Sequence, residues 1–198
     1  MTLFAARKTL VTPTEMLASL QAAWPEANRA SLCVLLAQWA LETGRGKSMI
    51  CYNCAGIKQG SYPDYTEYDT FEIIGGKRVN MRDKFRAYAT LDEGVADYLM
   101  FLRARFASAW PAVVAGSPEQ FVQALKIHGY FTADVGEYTR AVRGLFNEFF
   151  GLVPALVVPS SVEDTQPVSV APLLDGGAVT SNDIASDAVA DYQAKKES

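Results

Sequence analysis

The chain has 198 residues, 49% of them apolar and 20% charged, which fits one domain with a sizeable core plus an appendage. Its net charge of −4 comes without the basic stripe that marks a nucleic-acid binder. No apolar run approaches the ~20 residues of a membrane-spanning helix, so neither nucleic acid nor a membrane span is expected. The charge is unevenly placed. Residues 152–198 hold seven acids against two bases, which leaves 15 acids and 16 bases in the body.

In chain order, Thr12-Pro13-Thr14-Glu15 is a capping box with Pro at the first helical position. It predicts a helix carrying Met16, Leu17, Leu20 and Trp24. A second helix is expected from about Asn28 to Thr43, stopped by Gly44, with Leu32, Leu35, Leu36 and Trp39 as its apolar stripe. Residues 66–89 change character and are rich in Tyr, Phe, Ile and Val. Gly75-Gly76 supplies the positive φ of a tight turn, which predicts a hairpin of Thr70–Ile74 and Lys77–Met81. Thr90-Leu91-Asp92-Glu93 is a second capping box, followed by Val95, Tyr98, Leu99, Leu102 and Phe106 at helical spacing. Ser117-Pro118-Glu119-Gln120 opens a fourth helix, and Asp134 with Glu137 a fifth that carries Tyr138, Val142, Leu145, Phe146 and Phe149. Together these elements make a helical bundle with a small β lobe inserted and a cleft between the two. After Gly151, prolines interrupt a Val/Ser/Ala-rich stretch with few large side chains, so residues 1–151 are expected to form the folded domain and 152–198 an acidic tail or linker.

Two features bear on chemistry. Cys51-Tyr-Asn-Cys54 is a C-x-x-C, but a structural zinc needs four ligands and no second pair exists. With no βαβ pattern around it, the pair reads as small buried thiols, and Cys33 as core. Glu42 stands out more. It follows Trp39 by three positions and Leu35 by seven, so it shares the apolar stripe of its helix. Desolvation there and the helix C-terminus both oppose ionisation. A carboxyl kept protonated near neutral pH is what a glycosidic leaving oxygen requires. A boundary Glu turned toward solvent is the alternative that periodicity leaves open.

The segment Ala37-Gln38-Trp39-Ala40-Leu41-Glu42-Thr43-Gly44-Arg45-Gly46-Lys47-Ser48 resembles the signature of glycoside hydrolase family 73, the N-acetylglucosaminidases of autolysins and the flagellar rod cap. Three more segments agree in order: Asn53-Cys54-Ala55-Gly56-Ile57-Lys58 (family pattern Asn-Leu-Phe-Gly-Ile-Lys), Lys84-Phe85-Arg86-Ala87-Tyr88, and Gly129-Tyr130-Phe131-Thr132-Ala133-Asp134 followed by Tyr138 (family pattern Gly-Tyr-Ala-Thr-Asp). The resemblance spans roughly residues 13–150. It implies a mainly α, α+β fold: a lysozyme-like helical lobe with an inserted β-hairpin lobe. It also implies hydrolysis of a β-1,4 bond in peptidoglycan with no cofactor and no metal. It assigns the acid to Glu42 and a second carboxylate to the hairpin, where the spacing to Phe85 favours Glu72 over Glu67. Glu72 also alternates away from Phe71 and Ile73 along its strand. Tyr130 is then expected beside the cleft as a positioning residue, a buried structural Tyr being the other reading, with Asn53 and Tyr138 as substrate-binding residues.

This sequence departs from the family in having Arg45 where an aromatic is usual and Ala55 where Phe is usual. Muramidase and lytic transglycosylase are rivals of the same fold, and an inactive glycan-binding or structural module is a rival of another class. The first residues do not resemble a secretory signal, which implies synthesis in the cytoplasm and delivery to the wall as a phage lysin, a virion-associated hydrolase or a secreted effector. The acidic tail is expected to dock a protein partner or to act as a mild autoinhibitor rather than to bind the often anionic wall.

Overall fold

The computed structural model describes residues 1–74, 77–131 and 133–153, the side chains of residues 72–74 excepted. The tail from residue 154, the Gly75-Gly76 turn and Thr132 lie outside the described residues. The order is β1 (Thr2–Phe4), α1 (Pro13–Ala23), α2 (Arg29–Glu42), β2 (Asp64–Ile74), β3 (Lys77–Arg86), α3 (Leu91–Arg105), a 3₁₀ turn (Ala107–Ala109), α4 (Trp110–Val114), α5 (Pro118–Ile127) and α6 (Val135–Leu152). The fold is α+β, as expected.

The helix starts follow the capping chemistry. The Thr12 and Thr90 hydroxyls accept from the backbone N–H of Glu15 and Glu93, and each glutamate returns a bond to the cap backbone. Asn28, Ser117 and Asp134 cap α2, α5 and α6 with side-chain oxygens.

Helix α2 is the spine. Residues Ser31 through Leu41 are all buried, so the expected stripe is too narrow: α2 is core on every side. It packs most extensively against α6, and α1 packs on α3. The thiols of Cys33, Cys51 and Cys54 are free and buried.

The β lobe is larger than the predicted hairpin. β2 pairs antiparallel with β3 from Tyr65↔Arg86 to Ile74↔Lys77. The extra length was hidden because β3 is mostly polar and exposed, and Asp83 interrupts its alternation of Val79, Met81 and Phe85. β1 adds a parallel edge strand, Thr2↔Asp64 to Phe4↔Thr66, too short to signal itself in sequence. Residues 7–9 then strap the loop after α2: Thr9 N–H donates to Met49 O at 3.0 Å and Cys51 N–H to Arg7 O at 3.0 Å. Where α3 starts, a Cβ on Gly94 would lie 2.1 Å from Tyr52 O, so only glycine lets the helix approach that loop.

Candidate active site

Glu42 is the last residue of α2. A sharp turn follows. Thr43 Oγ donates to Trp39 O at 2.6 Å and accepts from Gly46 N–H at 2.9 Å, which satisfies groups the helix end leaves open. Gly44, Arg45 and Gly46 all have positive φ, and a Cβ on Gly46 would come within 2.0 Å of Val11 O. The glycines of Glu-Thr-Gly-Arg-Gly are therefore backbone requirements of the turn that ends the helix at the carboxyl.

The Glu42 side chain is half-buried. Desolvation pushes its pKa up to about 8, opposed by a hydrogen bond that favours the carboxylate. That bond comes from the fully buried Tyr138 of α6, whose hydroxyl donates to Glu42 Oε1 at 2.8 Å. Beneath it lies a small polar cluster in the core. Tyr98 of α3 donates to Gln38 Oε1 at 2.6 Å. Tyr130 is 2% exposed, and its pKa is held well above the normal range by burial and by the neighbouring Glu42 charge. Gln38 Nε2 and Tyr130 Oη are buried without a well-aligned partner among the described residues, although the Gln38 amide acts on Tyr130 to favour its phenolate.

The remaining expected residues fall as follows. Asn53 is 4% exposed, and its amide is engaged with the backbone: Nδ2 donates to Ile57 O at 2.8 Å and Arg86 O at 3.0 Å, and Oδ1 accepts from Ile57 N–H at 2.8 Å. Asn53 ties the loop after Glu42 to the end of β3. Tyr138 is fully buried, and its hydroxyl is engaged with Glu42. Tyr130 is buried beside the acid. Glu72 pairs with Val79 on β2, and its side chain lies outside the described residues. Glu67, the reserve candidate, faces Arg82 Nε at 3.6 Å and Lys84 Nζ at 3.5 Å. Near Glu72, the Arg78 guanidinium lies 3.7 Å from the Phe71 ring centroid. Both residues line a shallow cavity of about 420 Å³ with Asp69, Thr70, Asn80 and Met81. Among the described residues there is no group of three or more potential metal ligands, and no helix is long and apolar enough to cross a membrane.

Sequence reasoning missed several residues that shape this site. Arg45 forms a two-pronged ion pair with Glu148 of α6, at 2.5 and 2.7 Å. Asp97 of α3 accepts from Arg86 at 2.9 Å and from the Tyr88 hydroxyl at 2.5 Å, which fastens the Phe85-Arg86 end of the β lobe to the helices. A charged residue at a helical core position was the available signal for Asp97.

The family model for glucosaminidase, described as mannosyl-glycoprotein endo-beta-N-acetylglucosaminidase, matches residues 20–155. The chain belongs to the glucosaminidase family, glycoside hydrolase family 73. The peptidoglycan hydrolase FlgJ of Pseudomonas aeruginosa is 39% identical over 119 residues, covering 54% of this chain and 29% of the relative. The exo-glucosaminidase LytG of Bacillus subtilis is 30% identical over 109 residues, covering 50% of this chain and 38% of the relative. The chain thus spans about a third of the length of the curated relatives it matches. Among solved structures, a C-terminally truncated glycoside hydrolase domain of Salmonella typhimurium FlgJ superposes with a TM-score of 0.52 at 27% identity, covering 70% of this chain and 98% of that one. A peptidoglycan hydrolase mutant from Sphingomonas sp. A1 gives 0.53 at 30%, covering 69% and 99%. Within this glucosaminidase the two departures acquire surroundings. Arg45 is bound to α6, while Ala55 and Phe131 join the same buried core, a small residue where the family motif has Phe and a Phe where it has Ala.

Proposed function

We propose that this glucosaminidase is a peptidoglycan hydrolase that cleaves a β-1,4 bond of the glycan strand as an endo-β-N-acetylglucosaminidase. The observation that carries the reading is Glu42: a carboxyl at the end of the core helix, half-buried, bonded on one oxygen by Tyr138 and with its pKa pushed up to about 8. Such a group is largely protonated at neutral pH and donates to the leaving oxygen. Glu72 is the second carboxylate of the reading. Glu67 is occupied by Arg82 and Lys84, which favours Glu72 for activating water or stabilising oxocarbenium-like charge. Tyr138 acts behind the acid, holding Glu42 through its hydroxyl, and Tyr130 lies buried beside it. The acidic tail of 152–198 is the segment proposed to dock a protein partner.

The test is digestion of purified peptidoglycan by the full chain and by Glu42→Gln, with products read by mass spectrometry. A reducing-end N-acetylglucosamine, absent with Glu42→Gln, is the expected result. A reducing-end muramic acid would make the enzyme a muramidase, and a 1,6-anhydro ring a transglycosylase. No cleavage by either form would leave the inactive glycan-binding module. Glu42→Gln retaining half the wild-type rate would remove Glu42 from the mechanism.

A further inference from the structure

The Tyr138 hydroxyl that holds Glu42 is itself held. The Phe131 ring lies flat on the Tyr138 ring, with centroids 3.9 Å apart and planes inclined by 5°. Phe131 is 4% exposed and Tyr138 fully buried, so the stack belongs to the packed core and has little room to relax. A phenolic O–H prefers to lie in the plane of its ring. Whatever fixes the plane of Tyr138 therefore aims its proton. A parallel ring at this separation leaves the Tyr138 ring no room to turn about its own axis without a clash.

Phe131 is anchored from below by α5. Lys126, in the last turn, donates through Nζ to Ala133 O at 2.8 Å and to Phe131 O at 3.4 Å, and the same ammonium stands 5.1 Å from the Phe131 ring centroid. The chain of contact thus runs from Lys126 to Phe131, to Tyr138, to Glu42. Its chemical consequence lies in which carboxyl oxygen carries the proton. Oε1 accepts from Tyr138, so it is the poorer site for a proton, and Oε2 carries the transferable one.

We propose that Phe131 is a positioning residue for the acid: its ring plates Tyr138, keeps that hydroxyl on Glu42 Oε1, and leaves Oε2 to deliver the proton. The proposal rests on Glu42 being the general acid. The other titratable groups acting around this carboxyl are the phenols of Tyr98 and Tyr130, both held neutral by burial, and the Arg45–Glu148 pair three residues along the chain.

The test uses the full chain acting on a soluble peptidoglycan fragment from pH 5 to pH 10, comparing wild type, Phe131→Leu, Tyr138→Phe and the double variant. Phe131→Leu keeps apolar bulk and loses the flat ring. It is expected to lower kcat about tenfold, within the range general acid catalysis supplies, with KM within about twofold. Its alkaline limb should move upward, in the same direction as in Tyr138→Phe, because a bond that favours the carboxylate is weakened. Residues acting through one hydroxyl are non-additive, so the double variant should be no slower than Tyr138→Phe alone. Wild-type kcat and limb in Phe131→Leu, a loss confined to KM, or an additive loss in the double variant would each overturn the proposal. If Phe131→Leu fails to fold, as read by circular dichroism, Lys126→Met carries the test. It should move the limb the same way by a smaller amount, and an unmoved limb overturns the proposal. An active Glu42→Gln would instead sink the acid assignment itself.

Discussion

The raised pKa of Glu42 makes a prediction about stability that needs no substrate. Its carboxyl titrates near 4.5 when unfolded and at about 8 when folded. Below the lower value both states hold the proton, and Glu42 costs nothing. As pH rises from 4.5 toward 8, the unfolded chain releases a proton that the folded chain keeps, so stability falls and then levels off above 8. Each pH step across that window is worth ~1.4 kcal/mol, so the upper bound is on the order of 4–5 kcal/mol. The half-buried position of Glu42 reduces this through solvent screening to roughly 3 kcal/mol. Glu42→Gln removes the titration and keeps an oxygen for the Tyr138 hydroxyl. The variant should match wild type at pH 4.5 and exceed it by roughly 3 kcal/mol at pH 8.5, equivalent to about 6–12 °C in Tm for a domain of this size. Urea unfolding and thermal melting across that range measure it. Identical pH dependence in the two proteins would refute the claim that folding desolvates this carboxyl.

Other outcomes are expected from the same structure. Glu72→Gln should lower turnover at least 100-fold with little change in substrate binding, and Glu67→Gln should do little; an inactive Glu67→Gln would move the second carboxylate five residues along β2. Asn53→Ala strands backbone groups of Ile57 and Arg86 and should cost about 2–4 kcal/mol in urea unfolding, whereas a substrate-binding Asn53 would raise KM at unchanged stability. Removing residues 156–198 should leave Tm and digestion of walls unaltered at low and high salt, and a large fall in either would mean the tail packs on the catalytic body.

What was legible in the sequence was what local chemistry dictates. The caps at Thr12, Thr90, Ser117 and Asp134 are read within four residues, and so are the helices they start. The place of Glu42 at the end of the buried α2 was legible because its stripe and the glycines behind it are contiguous. What was not legible depends on contacts the local sequence does not carry. Tyr138 holds Glu42 across 96 positions of chain, and nothing local tells a phenol aimed inward from one aimed at a sugar. Asn53 satisfies backbone groups of Ile57 and Arg86, a common use of asparagine that the motif alone does not announce. β1 and α4 are three and five residues long, too short for any period to register, and α4 lacks a side-chain cap.

The burial of Ser31 through Leu41 in α2 has a consequence for hydrogen exchange. Amide hydrogens in the turn that leads to Glu42 exchange with solvent only when α2 separates from its neighbours, and α2 is packed against α1, α4 and α6. Their protection should approach that of global unfolding, while the polar, outward-facing β3 strand should exchange through local fraying. The acid is thereby carried on the least mobile part of the molecule.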